Sequence, residues 1–175
     1  MRQGPHRARL GGAGTQVDRH GLADLGVDSE EAAFAAARQF LSYLPSNARA
    51  APMLTEAPCE TGPQAQARAE ALLNGVPSNT RQSYDVRPVI EALADAGSGF
   101  EIKPTFARNL VTTFARLAGR PVGILANQAL VAGGTIDSDA CEKGAHFIAM
   151  CDAFGLPLIY LMDVPGFFIG SGAED

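Results

Sequence analysis

Two short apolar runs on either side of one amphipathic segment constrain the fold of this chain more than any other feature. The runs cover residues 122–126 and 156–162, and each is continuous rather than alternating. Because each is too short for a free-standing helix, both are typical of parallel strands that are buried on both faces. We therefore expect two neighbouring strands in the interior of an α/β sheet.

The segment between the runs has the spacing of a helix with one apolar and one polar face. The apolar face is predicted to contain Gly144, Phe147, Ile148, Cys151 and Phe154, and the polar face Glu142, Lys143 and His146. Asp139, with Glu142 three residues later, predicts a capping box, and Gly155 followed by Pro157 predicts the helix end. The whole unit predicts a right-handed βαβ crossover.

Candidate binding residues follow the two predicted strands, because open α/β sheets bind ligands at the carboxyl ends of their strands. The residues are Asn127, Gln128, Ala132, Gly133 and Gly134 after the first strand, and Pro165, Gly166 and Phe167 after the second. Backbone N–H groups at glycine turns can bind an oxyanion or a phosphate. Spacing alone favours a simpler interpretation, in which the glycines only make turns and Asp163 is a turn carboxylate.

The remaining elements are predicted from periodicity and caps. We expect helices from Asp28 or Ser29 to about Tyr43, over 65–73 and over 85–94, and strands over 100–103 and 110–117. A turn at Gly119 would pair 110–117 antiparallel with 122–126. The first helix is predicted to bury one face, made of Ala33, Phe34, Ala37, Phe40, Leu41 and Leu44.

Composition excludes several classes of function. A net charge of −5 argues against a nucleic-acid surface and against anionic membranes. No apolar run approaches the roughly 18 residues of a membrane-spanning helix, and the basic amino terminus lacks the apolar core of a secretory signal. Cys59, Cys141 and Cys151 have no CxxC spacing, so no metal site is expected and a reducing, cytoplasmic setting fits best.

Several stretches together resemble the biotin-dependent acyl-CoA carboxyltransferases, the β-type subunits of propionyl-CoA and related carboxylases. They are LGVDSEEAAFAAARQFLSYLPSN, FEIKPTFARNLVTTFARLAGRPVG, GRPVGILANQ, ACEKGAHF and CDAFGLPLIYLMDVPGFFIG. The resemblance covers most of residues 10–175 and is weakest between residues 50 and 82. It implies an α/β chain of the crotonase-like fold, a spiral of ββα units that is incomplete here. It also implies three parts: 1–49 ends the amino-terminal half, 50–83 is a linker, and 84–175 opens the carboxyl-terminal domain.

The resemblance further implies an enzyme activity. In this family a carboxyl group moves from carboxybiotin to the α-carbon of an acyl-CoA through an enolate, and backbone N–H groups stabilise the charge on oxygen. Biotin on a partner carrier and a coenzyme A thioester are the implied cofactor and substrate. A biotin carboxylase or carrier subunit and further copies of the chain, as a hexamer, are the implied partners. The eight candidate residues would line the biotin side of the site, with no catalytic side chain assigned.

Two alternatives to a carboxylase stay open at this level. The family's two oxyanion holes have no counterpart that we can place in these residues, so a polypeptide of these residues alone is expected to be inactive. The chain could then be a non-catalytic, truncated remnant, or a fragment that packs against a partner. It could also belong to an acyl-CoA decarboxylase α subunit, which runs the same chemistry in reverse.

Overall fold

The computed structural model describes residues 12, 14–47, 49–56, 62–79 and 81–168. Within these residues, four strands form one sheet, and four α-helices and two short helical turns accompany it. The helices are α1 (Glu30–Tyr43), α2 (Pro63–Gly75), α3 (Arg87–Leu93) and α4 (Ser138–Ala153). The strands are β1 (Phe100–Ile102), β2 (Leu110–Leu117), β3 (Arg120–Asn127) and β4 (Leu158–Leu161). The short turns are a π-helical turn at Thr15–Arg19 and a 3-10 turn at Ala132–Gly134.

The sheet has the order β1-β2-β3-β4. The pairings of β2 with β3 and of β3 with β4 are those predicted, and the antiparallel pairing of β1 with β2 is an addition. β2 and β3 form an antiparallel hairpin closed by Ala118 and Gly119, whose φ angles of 49° and 77° suit a tight hairpin turn. β3 and β4 pair in parallel with α4 between them in the chain, which confirms the strand–helix–strand unit. The predicted helices at 65–73 and 85–94 are confirmed as α2 and α3.

The core lies on both faces of β2 and β3. On one face Ile90 and Ala94, at α3 and its end, pack with Val122, Ile124 and Ala126. On the other face Phe147 and Cys151 of α4 pack with Phe114, Leu125 and Tyr43. β3 is therefore buried on both sides, as its apolar run predicts.

The same prediction is wrong for β4. Leu158, Ile159 and Leu161 are only partly buried, and Tyr160 is 51% exposed. β4 is the last strand of the sheet, so its outer edge has no paired strand among the described residues. An apolar run indicates that a strand tends to be buried, but another segment must pack against the strand to bury it.

The amino-terminal end of α4 differs from the prediction. Asp137 is the N-cap, since its Oδ1 accepts a hydrogen bond of 2.9 Å from Ala140 N. The helix thus starts before Asp139, which lies in its first turn, and the capping box of Asp139 and Glu142 is wrong. The predicted end is confirmed, because Gly155 has φ 64° and Leu156 N–H bonds to Cys151 O at 2.9 Å.

The predicted faces of two helices need correction. On α4, Glu142 and His146 are exposed as expected, but Lys143 is buried at 2% exposure. On α1, which is capped by Ser29 as predicted, Phe34 and Leu41 are 53% and 62% exposed. Only the carboxyl-terminal part of α1 meets the sheet, where the Tyr43 ring stacks on Phe114 at 5.6 Å. The prediction from apolar residues at helical spacing therefore overestimated how much of α1 is buried by the described residues.

Candidate functional site

The carboxyl ends of β3 and β4 lie side by side and are joined by one amide side chain. Asn127, the last residue of β3, donates from Nδ2 to Asp163 O and accepts at Oδ1 from Asp163 N, both at 2.5 Å. Asn127 is 3% exposed, so both bonds are shielded from water. This pair of bonds fixes the loop after β4 against the end of β3.

The loop after β3 contains three consecutive residues in the left-handed region. Ala132, Gly133 and Gly134 have φ angles of 50°, 65° and 78°. A Cβ built on Gly134 would collide with Asn127 Nδ2, whereas a Cβ on Gly133 would meet nothing within 4 Å. Gly134 is therefore a packing glycine beside Asn127, while Gly133 faces open space.

The loop after β4 is held against the first loop by a short parallel bridge. Ile136 N donates to Gly166 O at 3.2 Å, and Phe168 N donates to Ile136 O at 2.8 Å. Phe167 and Phe168 expose 68% and 65% of their surface. Together with the Asn127 bonds, this bridge brings the two predicted groups of residues to one edge of the sheet.

The side chain of Gln128 points into the protein interior and anchors the loop after β3. It is 1% exposed, and its Nε2 donates to Asp85 Oδ1 at 2.6 Å. Its Oε1 accepts from Leu130 N at 3.3 Å. Burial alone would raise the pKa of Asp85, but hydrogen bonds from Arg87 N and Gln128 and the Arg87 charge outweigh it and lower that pKa. Gln128 therefore anchors the loop to the start of α3 rather than pointing at a ligand.

The segment 81–85, which the sequence assigns to a linker and a helix start, completes the site. Between it and the two loops lies a cleft of about 160 Å³, lined by Arg81, Gln82, Ser83, Ala129, Gly133, Asp163, Val164 and Pro165. Beside the cleft, the pKa of Tyr84 is raised first by burial and then by its interaction with the Asp163 carboxylate. Nothing in the local sequence of 81–85 indicates this role, because it depends on where α3 docks on the sheet.

The second feature that sequence reasoning missed is a buried ammonium. Lys143 Nζ donates to the carbonyl oxygens of Lys103, Phe106, Ala107 and Leu110. Burial is the main cause that lowers the pKa of Lys143 to about 8, and the charges of Arg87 and Lys103 act in the same direction against that of Glu101. A lysine four residues before Phe147 on a partly apolar helix is a weak sequence signal for such burial, since i and i+4 share a face.

The chemistry available at this edge is that of backbone and amide groups, together with the charged side chains of Arg81 and Asp163. Among the described residues, no three His, Cys, Asp or Glu side chains form a cluster that could hold a metal ion. None of the helices described is long and apolar enough to cross a membrane. A glycine turn and an arginine that line one cleft suit an anionic group of modest size, although Asp163 on the same lining carries the opposite charge to Arg81.

Comparison with known proteins places these observations in one family. The family model described as carboxyl transferase domain matches residues 6–175. The chain is 42% identical over 165 residues to a propionyl-CoA carboxylase carboxyltransferase subunit of Haloferax mediterranei, covering 94% of this chain and 31% of that protein. It is 38% identical over 166 residues to the methylmalonyl-CoA decarboxylase subunit alpha of Veillonella parvula, covering 94% and 32%.

A solved structure shares the fold of this chain. The chain superposes on the 12S transcarboxylase, solved as a hexamer assembly with methylmalonyl-coenzyme A and methylmalonic acid bound. The TM-score is 0.87 at 38% identity, over 95% of this chain and 31% of that one. The chain thus spans about a third of the length of these relatives, and its four-stranded sheet is a part of the crotonase-like fold predicted from the sequence.

Proposed function

Because the chain belongs to the carboxyl transferase domain family, we propose that it forms part of the carboxyltransferase component of a biotin-dependent acyl-CoA carboxylase. The reaction would move a carboxyl group from carboxybiotin to the α-carbon of an acyl-CoA through an enolate. The observation that carries the proposal is the joined pair of strand ends, at which Asn127 ties Asp163 to β3 beside the Gly133 turn. In this proposal the division into 1–49, 50–83 and 84–175 follows the halves of the whole subunit.

The residues present fit the ureido end of carboxybiotin by their donor chemistry. Gly133 offers a peptide with no side chain toward a cleft about 160 Å³ in volume. Arg81, which lines the same cleft, complements the charge of a carboxylate, whereas Asp163 on that lining opposes it. When bound, carboxybiotin supplies the carboxyl group and, once it has given this up, the base for the α-carbon proton.

The chain's own residues would act by holding backbone in place. Gly133 would form one wall of the biotin side, within the turn that Ala132 and Gly134 shape, and Asn127 and Gln128 would anchor this wall. Pro165 would form another part of the wall, and the adjoining Gly166 and Phe167 would lie beside the cleft, with exposed Phe167 available for apolar contact. Such preorganised backbone costs no rearrangement as charge develops, and losing one donor typically costs about 3–4 kcal/mol in sites of this kind.

The partners follow from the same proposal. A biotin carboxylase or biotin carrier subunit would deliver the carboxyl group, the acyl-CoA would be the acceptor, and copies of the subunit would assemble as a hexamer. The structure of the 12S transcarboxylase, a hexamer assembly with methylmalonyl-coenzyme A bound, supports the last two. The cytoplasmic location stays a prediction from cysteine usage.

A second candidate is the α subunit of an acyl-CoA decarboxylase. It is favoured by the 38% identity to the Veillonella parvula subunit, close to the values for the carboxylases. The joined strand ends suit carboxyl transfer in either direction, because the same groups stabilise the same charges. Neighbouring genes separate the two: a biotin carboxylase favours the first, and a membrane-embedded decarboxylase subunit favours the second.

A chimaeric subunit tests the proposal. Residues 6–175 replace the matching third of the Haloferax mediterranei subunit, and propionyl-CoA carboxylation is measured with that subunit's biotin-bearing partner. We expect activity in the parent chimaera. Gly133→Val, which adds a side chain in the cleft without a neighbouring clash but at a φ of 65°, should lower turnover about a hundredfold and cost about 1–2 kcal/mol of stability.

His146→Ala on the exposed face of α4 is the matched control and should change neither quantity. Full turnover by Gly133→Val in an active chimaera would show that the site is misplaced. An inactive parent chimaera that is folded and hexameric would count against the carboxyltransferase proposal itself.

A further inference from the structure

The ammonium of Lys143 holds together the turn that precedes β2. It is 2.8 Å from Lys103 O, 2.8 Å from Phe106 O and 2.7 Å from Leu110 O. These carbonyls point inward, and buried carbonyls without a donor are strongly disfavoured. An aliphatic side chain would fill the same volume, but only an N–H donor of this reach can satisfy the three oxygens at once.

The turn needs such support because its backbone is strained. Lys103 and Ala107 have φ angles of 53° and 42°, in the left-handed region that side chains other than glycine disfavour. Backbone of this kind persists only where surrounding contacts determine it. Lys103 itself is tied down, since its Nζ bonds to Gly21 O and pairs with Asp24 Oδ1 at 2.8 Å.

Asn109, at the end of this turn, connects it to the candidate site. Its backbone oxygen accepts from Gln128 N at 2.8 Å, and its Nδ2 donates to Thr135 O at 2.8 Å. Gln128 and Thr135 are the two ends of the loop that contains Gly133. One buried residue, 3% exposed, therefore bridges both ends of that loop.

We propose that Lys143 and Asn109 are positioning residues for the loop 128–135: the ammonium sets the turn 103–110, and Asn109 passes that geometry to both ends of the loop. The consequence for turnover rests on the proposed function, whereas the structural coupling does not. Neither residue touches the cleft, so neither is a catalytic residue. The loop would keep its sequence but lose its fixed position when either one is removed.

Amide hydrogen exchange of the 175-residue chain, read by mass spectrometry, tests the coupling. Asn109→Ala keeps the backbone bond to Gln128 N and removes the side-chain bond to Thr135 O, so it should speed exchange in 128–136 at least tenfold while leaving 103–108 unchanged. Lys143→Met should speed both segments, and Lys143→Arg, which keeps charge and donors, should restore most of the protection. His146→Ala on the same helix is the control and should change neither segment.

Two separate variants are measured because one of them could fail to fold. Unchanged exchange in 128–136 for Asn109→Ala would overturn it, and so would a rise for Lys143→Met that is equal in every peptide. In the active chimaera, Asn109→Ala should lower kcat at least tenfold with the KM for propionyl-CoA unchanged. A parent chimaera without activity, together with the expected exchange pattern, would count against the proposed function and leave the coupling standing.

Discussion

Alanine substitutions of two adjacent glycines with similar backbone angles should lower the stability of the chain by different amounts. Gly133 and Gly134 have φ angles of 65° and 78°, so an alanine at either position carries the same left-handed cost of about 1–2 kcal/mol. A Cβ on Gly133 enters open space. A Cβ on Gly134 collides with Asn127 Nδ2, so the amide must turn away from it.

The extra cost at Gly134 follows from the bonds that Asn127 makes. Turning the amide breaks its two hydrogen bonds to the backbone of Asp163, each worth about 1 kcal/mol net, and leaves polar atoms buried. Gly134→Ala should therefore lower the free energy of unfolding by about 2 kcal/mol more than Gly133→Ala. Urea unfolding of the chain followed by far-ultraviolet circular dichroism measures both losses.

A double-mutant cycle separates the collision from the backbone cost. In an Asn127→Ala background the obstructing atoms are gone, so Gly134→Ala should cost no more than Gly133→Ala does. The cycle should thus give a coupling energy of about 2 kcal/mol between positions 127 and 134. Equal losses for the two single variants, or strict additivity in the cycle, would refute the assigned role of Gly134.

Three further predictions concern α4 and its contacts. Lys143 has a native pKa of about 8, whereas in the unfolded chain it keeps its proton to near the ordinary 10.5. Between pH 8 and 9 the free energy of unfolding should therefore rise by about 1 kcal/mol relative to that of Lys143→Met. An identical pH dependence of the two proteins in urea titrations would contradict this. Gly123→Ala should lower the free energy of unfolding by about 2–3 kcal/mol, since a Cβ at this position lies 2.6 Å from Cys151 Sγ and 3.0 Å from Phe147 Cε1. An unchanged unfolding midpoint would disprove this packing of α4 on β3. Iodoacetamide at pH 8 should modify the exposed Cys141 and spare Cys151, because burial raises the pKa of the Cys151 thiol to about 12. Peptide mapping that finds both cysteines equally alkylated would show that Cys151 is not buried.

The sequence by itself determined the elements and the edge of the sheet at which the candidate site lies. Apolar runs, helical spacing and Gly119 predicted β3, α4 and the β2–β3 hairpin, since these depend on contacts close in the chain or on burial of whole runs. It also predicted the loops after β3 and β4 as neighbours, because parallel strands end at the same edge. The motifs that resemble carboxyltransferases identified the family.

Only the tertiary structure decided how individual side chains serve that edge. Asn127 could be placed at a strand end from sequence, but its two bonds to Asp163 depend on the register of β3 against β4. Segment 81–85 reaches the cleft because α3 docks on the sheet. Lys143, a charged residue that spacing assigns to solvent, is buried because a strained turn far away in the chain directs its carbonyls at it. Contacts of this kind join residues that are distant in sequence. Periodicity predicts only whether a residue tends to be buried, and it does not predict which groups contact that residue.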